Sequence, residues 1–226
     1  MKKKAPGGKN PSLSSLRAAA RDCRACPLWR SATQTVFGEG PAKARIVLVG
    51  EEPGDREDII GRPFVGPAGQ LLRRALVEAG LDPAALYLTN VVKHFKFEMR
   101  GKRRLHKRAN AEEQAACRQW LQAELHRIRP AIVVCLGATA AKALLGTSFS
   151  VTRQRGRWLP FGADAFAIAT LHPSALLRMR DSERERGYLD FVRDLRKIAT
   201  GPGPVGMVAK ARSAARPKSN PGDGTV

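Results

Sequence analysis

At 226 residues, 43% of them hydrophobic, the chain is long enough for one domain with a substantial core. Its formal charge of +20, from 40 Lys and Arg against 20 Asp and Glu, points to a polyanionic partner, with nucleic acid the leading class. No apolar run approaches the roughly 18–20 residues needed to span a bilayer, and no apolar stretch follows the N-terminal lysines. A membrane span and a secretory signal are therefore not expected, and a cytosolic or nucleoid location is.

The charge is not confined to the ends. Residues 1–10 carry four lysines and residues 201–226 a net +3, which leaves +13 on residues 11–200. Residues 1–11 and 201–226 are rich in Gly, Pro, Lys, Arg and Ser, so both are expected to be disordered, with one domain over 12–200.

Within that domain, RIVLVG (45–50) is a short apolar run ending in glycine, the pattern of a buried strand. GQLLRRALVEAG (69–80) sets Leu71, Leu72, Ala75, Leu76 and Ala79 at helical spacing and stops at Gly80. LYLTNVV (86–92) predicts a second strand and residues 93–110 a long basic loop. Residues 110–128 predict an amphipathic helix N-capped by Asn110. AIVVCLG (131–137) predicts a third strand and residues 138–146 a short helix. FAIATLHPS (166–174) predicts a fourth strand running into a loop, and residues 182–199 a closing helix. Strands alternating with helices imply an α/β fold, a parallel sheet with helices on both faces. Ligands in such sheets bind beyond the carboxyl ends of the strands. Three polar clusters fall there: GEEPG (50–54), TNVVKH (89–94) and HPS (172–174).

The four cysteines read Cys23-x2-Cys26 and then Cys117-x17-Cys135. In a cytosolic protein these are ligands or free thiols rather than disulfides. Four thiolates at such spacing hold either a [4Fe–4S] cluster or zinc, and Cys135, in an apolar strand, also reads as plain core. GKRRLHKR (101–108) places one histidine among arginines and lysines. A mostly neutral imidazole adds little to phosphate binding. By spacing alone, His106 is an incidental member of a phosphate-binding loop.

The motifs CRACPLW, TVFGEGP, IVLVGEEPGD, GRPFVGPAGQLL, LYLTNVVKH, ACRQWL, CLGATAAKALLG and HPSALLR occur in this order between about Cys23 and Ala199. Together they resemble the family 4 uracil-DNA glycosylases. The Lys-Arg-Arg-aliphatic-His-Lys segment from Lys102 to Lys107 is more similar to the covalently acting UdgX group. That resemblance implies a three-layer α/β/α fold with a central four-stranded parallel sheet. It also implies a structural [4Fe–4S] cluster on Cys23, Cys26, Cys117 and Cys135, and a pocket for uracil flipped out of DNA. Single-stranded DNA is the expected substrate, because flipping costs less there, and a monomer is the default.

The same resemblance assigns roles. Glu51 is the family carboxylate, expected to orient or deprotonate His106, the nucleophile that attacks the deoxyribose C1′. His172 donates to uracil O2 and steadies the leaving anion. Phe64 stacks on the base, and Asn90 pairs with its O4 and N3–H, a pattern that cytosine reverses. Lys102, Arg103, Arg104, Lys107 and Arg108 are expected on phosphates, with Ser174 and Arg178 as further backbone contacts. Glu52 stands where UdgX proteins carry glutamine. Facing the pocket it adds a second negative charge; pointing outward it is neutral in effect. The expected outcome is a single-turnover protein–DNA adduct, with an ordinary turning-over glycosylase and a non-catalytic nucleic-acid binder as the alternatives. His126 reads as a surface residue, and nothing specific supports a role for His94.

Overall fold

Near-continuous β-branched runs suit strands buried on both faces, and those at the start and middle of the chain form the centre of a sheet. The computed structural model describes residues 11–202, so the ends expected to be disordered lie almost wholly outside the described residues. The strands are β1 (Ile46–Gly50), β2 (Tyr87–Asn90), β3 (Phe97–Arg100), β4 (Arg103–His106), β5 (Ile132–Leu136), β6 (Trp158–Phe161) and β7 (Ala165–Thr170). The main sheet runs in the order β2-β1-β5-β7-β6. The four expected strands pair in parallel, and β6 adds an antiparallel fifth at the edge through β7. Trp158-Leu159-Pro160-Phe161 was illegible as a strand: it is short, lacks alternation and contains a proline, which only an edge tolerates.

Alternate side chains of each strand point to opposite faces, and the core divides accordingly. Val47, Val49, Val133, Cys135, Ala167 and Ala169 face one layer, built from α1 (Leu13–Arg21), α4 (Ala111–Ile128) and α5 (Gly137–Leu145). Leu48, Val134, Leu136 and Ile168 face the other, built from α3 (Pro67–Glu78), α7 (Pro173–Leu177) and α8 (Asp181–Thr200). Two short helices, α2 (Asp55–Ile60) and α6 (Val151–Gln154), complete the set. This is the expected three-layer α/β/α arrangement. Asn110 caps α4 as the sequence implies, in a box in which its side chain accepts from Glu113 N–H and Glu113 accepts from Asn110 N–H.

Residues 93–110 are not simply a loop. β3 and β4 form an antiparallel hairpin closed by Gly101 and Lys102, with Gly101 at φ 59. A positive φ at only the first central residue is the type II′ geometry, which glycine enters without a Cβ clash. Six of the hairpin's ten residues being charged or glycine hid it from a propensity reading. Opposed residues share a face, so Phe97, Met99, Arg104 and His106 project together.

Behind β2 lies a buried polar network. Lys93 Nζ donates to Glu124, to Thr89 Oγ1 and to the Asn90 carbonyl, while Glu124 also accepts from Tyr87 Oη, Thr89 Oγ1 and Gly38 N–H. Both charged side chains are essentially inaccessible to solvent. Removing one partner of such a pair strands the other charge. Glu124→Ala is therefore expected to destabilise by about 3–5 kcal/mol and to lower Tm by on the order of 10 °C. Replacing both partners with apolar residues of similar size should recover most of that loss in thermal denaturation.

Candidate active site

The parallel order reverses direction between β1 and β5, and the crevice outside the strand ends at that switch is where α/β sheets bind ligands. A cavity of about 190 Å³ opens there, lined by Glu52, Gly54, Glu57, Phe64, Ala68, Asn90, His106, His172, Ser174 and Arg178. The expected Glu52, Phe64, Asn90, His106, His172, Ser174 and Arg178 are thus brought together. Glu57, Gly54 and Ala68 were not expected. Glu57 accepts from Gly66 N–H and Gly54 N–H and so ties two loops over the cavity. Its only sequence signal is an acid three residues after a glycine at a helix start.

Asn90 is buried at the end of β2, opposite Gly50 in register. A Cβ on Gly50 would collide with Asn90 Oδ1 and the Phe64 ring. Glycine there is what lets amide and ring share one wall. Phe64, buried and at φ 56, holds a left-handed conformation that a bulky residue adopts only when its surroundings impose it.

The two imidazoles sit in opposed environments. Ser174 N–H donates to His172 Nδ1, and the Ser174 hydroxyl lies 2.7 Å from the same atom. With Nδ1 accepting, the ring proton resides on Nε2. Burial pushes the His172 pKa down to about 4, so the ring is a neutral donor at physiological pH. His106 Nε2 lies 3.0 Å from Oε1 of Glu52. This contact is off the line of a good hydrogen bond, and Oε1 has no other partner among the described residues. Glu52 Oε2 is fixed by Ala109 N–H at 2.8 Å. The Glu52 contact raises the His106 pKa above its ordinary value against the opposing effect of burial, and burial raises that of Glu52.

Glu52, then, faces inward and is the carboxylate behind His106. Glu51 was expected in that place; its carboxylate instead accepts from Arg108 Nε at 2.9 Å. The expected phosphate contacts also divide. Arg104 is folded back: Nε meets Asp55 Oδ1 at 2.6 Å, Nη1 meets the fully buried Asp58 at 2.7 Å, and the guanidinium lies over the Phe95 and Phe97 rings. It anchors the hairpin rather than facing solvent. Lys107 pairs across the hairpin with Glu98. Lys102 and Arg103, at the exposed tip, form no ion pair among the described residues. His126 is exposed as expected, and His94 lies in a different cavity.

All four cysteines are buried free thiols in one core cluster on the α1/α4 face. As donors they suit a soft metal or iron–sulfur group, and two already receive N–H donors: Trp120 Nε1 to Cys23 Sγ and Lys93 N to Cys117 Sγ, both at 3.2 Å. The expected full convergence is absent, however: among the described residues no three His, Cys, Asp or Glu form a group that could hold a metal ion. Cys23 and Cys26 influence the Cys117 thiol, whereas burial alone acts on Cys135. Burial pushes the thiols of Cys117 and Cys135 up to about 12.

The pattern of the Uracil DNA glycosylase superfamily matches residues 37–196, and the chain belongs to that superfamily. It is 42% identical over 173 residues to a type-4 uracil-DNA glycosylase of Thermotoga maritima, covering 76% of this chain and 86% of that one. It is 37% identical over 190 residues to a type-4 uracil-DNA glycosylase of Archaeoglobus fulgidus, covering 80% and 90% respectively. A type-5 uracil-DNA glycosylase of Pyrobaculum aerophilum matches at 31% over 185 residues, 74% of this chain and 77% of that one. Among the described residues no helix is long and apolar enough to cross a membrane.

An NMR titration distinguishes the imidazoles. His172 and His94 should stay neutral until the pH falls to about 4, while His106 titrates above its ordinary value. The unfolded chain protonates the two buried histidines near pH 6.5, so it binds more protons than the fold between about 6.5 and 4. Stability should therefore fall as pH is lowered through that window, in equilibrium denaturation. His106 contributes in the opposite sense, its share being lost as pH rises through its folded value.

Proposed function

We propose that this chain is a uracil-DNA glycosylase that removes uracil from DNA and bonds to the vacated deoxyribose C1′ through His106, one event per molecule. The observation that carries this reading is the placement of His106, backed by the buried Glu52, in the same cavity as Phe64, Asn90 and the neutral His172. Asn90 reads the uracil edge and Phe64 stacks on it. His172 Nε2–H donates to O2 as negative charge develops there. A neutral donor suits this task, because it stabilises the anion without first giving up a proton.

The nucleophile needs a lone pair on Nε2. The proton between Nε2 and Oε1 passes to Glu52, whose burial favours the neutral acid, and the imidazole retains its proton on Nδ1. The Nε2–C1′ bond then forms as the C1′–N1 bond breaks. Its electron pair leaves on uracil, and the alkylated ring becomes an imidazolium. A glutamine at position 52 has no carboxylate to take that proton. Arg104 on Asp55 and Asp58 keeps the hairpin over the cavity, which holds the imidazole at attack distance. Lys102, Arg103, Lys107, Arg108 and Arg178 remain as phosphate contacts. Single-stranded DNA is the favoured substrate and the protein acts as a monomer. Cys23, Cys26, Cys117 and Cys135 are the residues that would hold a [4Fe–4S] cluster, whose contribution is a cross-brace between the N-terminal segment, α4 and β5.

A second reading, an ordinary multiple-turnover hydrolase using water oriented by Glu51, is favoured by the type-4 names of its relatives. Incubation with a uracil-containing oligonucleotide, followed by heat and SDS, separates the two. A boil-resistant shifted band supports trapping; release of many uracils per protein with no such band overturns it. His106→Ala should abolish the band. Arg104→Ala should slow its formation on the order of 10- to 100-fold through misplacement of the imidazole. The rate for the unaltered protein should rise with pH as His106 loses its proton, and Glu52→Gln should shift that profile to lower pH.

A further inference from the structure

The opposite flank of α2 carries a feature that the uracil cavity does not use. Two cavities of about 380 and 150 Å³ adjoin there and share Arg21, Gln34 and Thr35. Arg17, Phe37 and Arg62 line the first; Arg24, Trp29 and His94 line the second. Trp29 is only partly buried, and the guanidiniums of Arg24 and Arg30 lie 4.6 and 5.8 Å from its ring centroid. Arg21, Arg24 and Arg30 are exposed and form no ion pair among the described residues. The facing acids are Asp22 and Glu39, and Glu39 is already held by Arg62 at 2.8 Å.

A second observation is independent of this charge. His94, 4% exposed, lines the smaller cavity. Its Nε2 lies 2.9 Å from Thr35 Oγ1, whose own proton goes to the Ala20 carbonyl, so Nε2 is the donor. Nδ1 is then a buried acceptor with no partner among the described residues. A buried acceptor left unmatched is costly, and it makes this wall of the groove polar beneath its surface.

We infer that this groove is a second binding site, for a stretch of single-stranded nucleic acid flanking the extruded nucleotide. Arg17, Arg21, Arg24 and Arg30 take its phosphates. Trp29 holds two of the guanidiniums in place before binding, which lowers the entropy lost per phosphate contact. A positively charged groove that tracks the backbone is the chemistry by which unpaired strands are held irrespective of sequence. The groove is tied to the uracil cavity through residues of their walls. Thr33, in the groove wall, bonds the Asp58 that anchors the hairpin, and Arg62 is two residues from Phe64. The inference rests on the proposed function only in taking DNA as the ligand.

The test uses the full-length protein and a fluorescein-labelled oligothymidylate of about 15 residues without uracil, read by anisotropy across a salt series. Failure of the glycosylase reading would leave this measurement intact. Arg21→Ala/Arg24→Ala should bind at least about tenfold more weakly at moderate salt. Its log–log salt slope should be smaller by about 1.4, two single-strand phosphate contacts at roughly 0.7 each. Arg193→Ala, on α8, should match the unaltered protein in both respects. Trp29→Phe, which keeps an aromatic ring in place, should abolish the change in tryptophan emission that the oligonucleotide causes. Unaltered affinity and slope in the double variant, or an equal loss in Arg193→Ala, would overturn the site, the latter by showing that only diffuse charge is at work.

Discussion

Asp58 is fully buried, and its satisfaction organises three separate parts of the chain. Its carboxylate accepts from Thr33 N–H and the Thr33 hydroxyl on one side and from Arg104 on the other. A buried carboxylate left without partners costs several kcal/mol, so the N-terminal loop, α2 and the β3–β4 hairpin are obliged to meet there. Arg104 completes its coordination with Asp55 and the stacked Phe95 and Phe97 rings. One residue further along the same face of the hairpin ladder stands His106. The position of the imidazole is therefore set from outside the cavity, by a charge pair with no direct part in the chemistry.

Inside the cavity, the surroundings of two histidines push their proton affinities in opposite directions. His172 accepts from a backbone N–H and is buried deeply enough to outweigh the pull of Glu51, so it is neutral and its donor nitrogen is determined. His106 faces a carboxylate that is itself desolvated: the contact raises the proton affinity of the imidazole, and burial raises that of the carboxylate. Groups whose environments push their proton affinities apart in this way are suited to separate steps of one reaction. In the proposed reaction the uracil anion would meet a donor that does not ionise, and the sugar a nucleophile whose proton has somewhere to go.

The N-terminal segment links these devices to the rest of the molecule. α1 packs on α4, and Cys23 and Cys26 sit against Cys117 and Trp120 in the same core layer. The arginines between and around the cysteines face outward along the groove beside α2. Buried thiols inside and exposed guanidiniums outside divide the segment between packing on the sheet and presenting positive charge to solvent. The +13 charge of residues 11–200 thus has at least two surface locations, the hairpin tip and this groove.

The order of elements was legible in the sequence because it depends on local periodicity. β1, β5 and β7 are apolar runs of strand length, α3 and α4 have helical spacing with recognisable ends, and polar residues follow the parallel strands where such sheets bind ligands. Asn90, Phe64, His106 and His172 were singled out by the family resemblance of their motifs, His106 against its spacing alone, and the fold brings all four to one cavity. Tertiary structure alone decided which of two adjacent glutamates stands behind His106, since Glu51 and Glu52 differ only in the direction their backbone gives them. It likewise decided that Arg104 turns inward to Asp55 and Asp58, 46 and more residues away, while Arg103 stays outside. A basic run states how much charge a segment carries; the alternation of a β-ladder determines which charges reach solvent, and pairing across the ladder is not encoded at any single position.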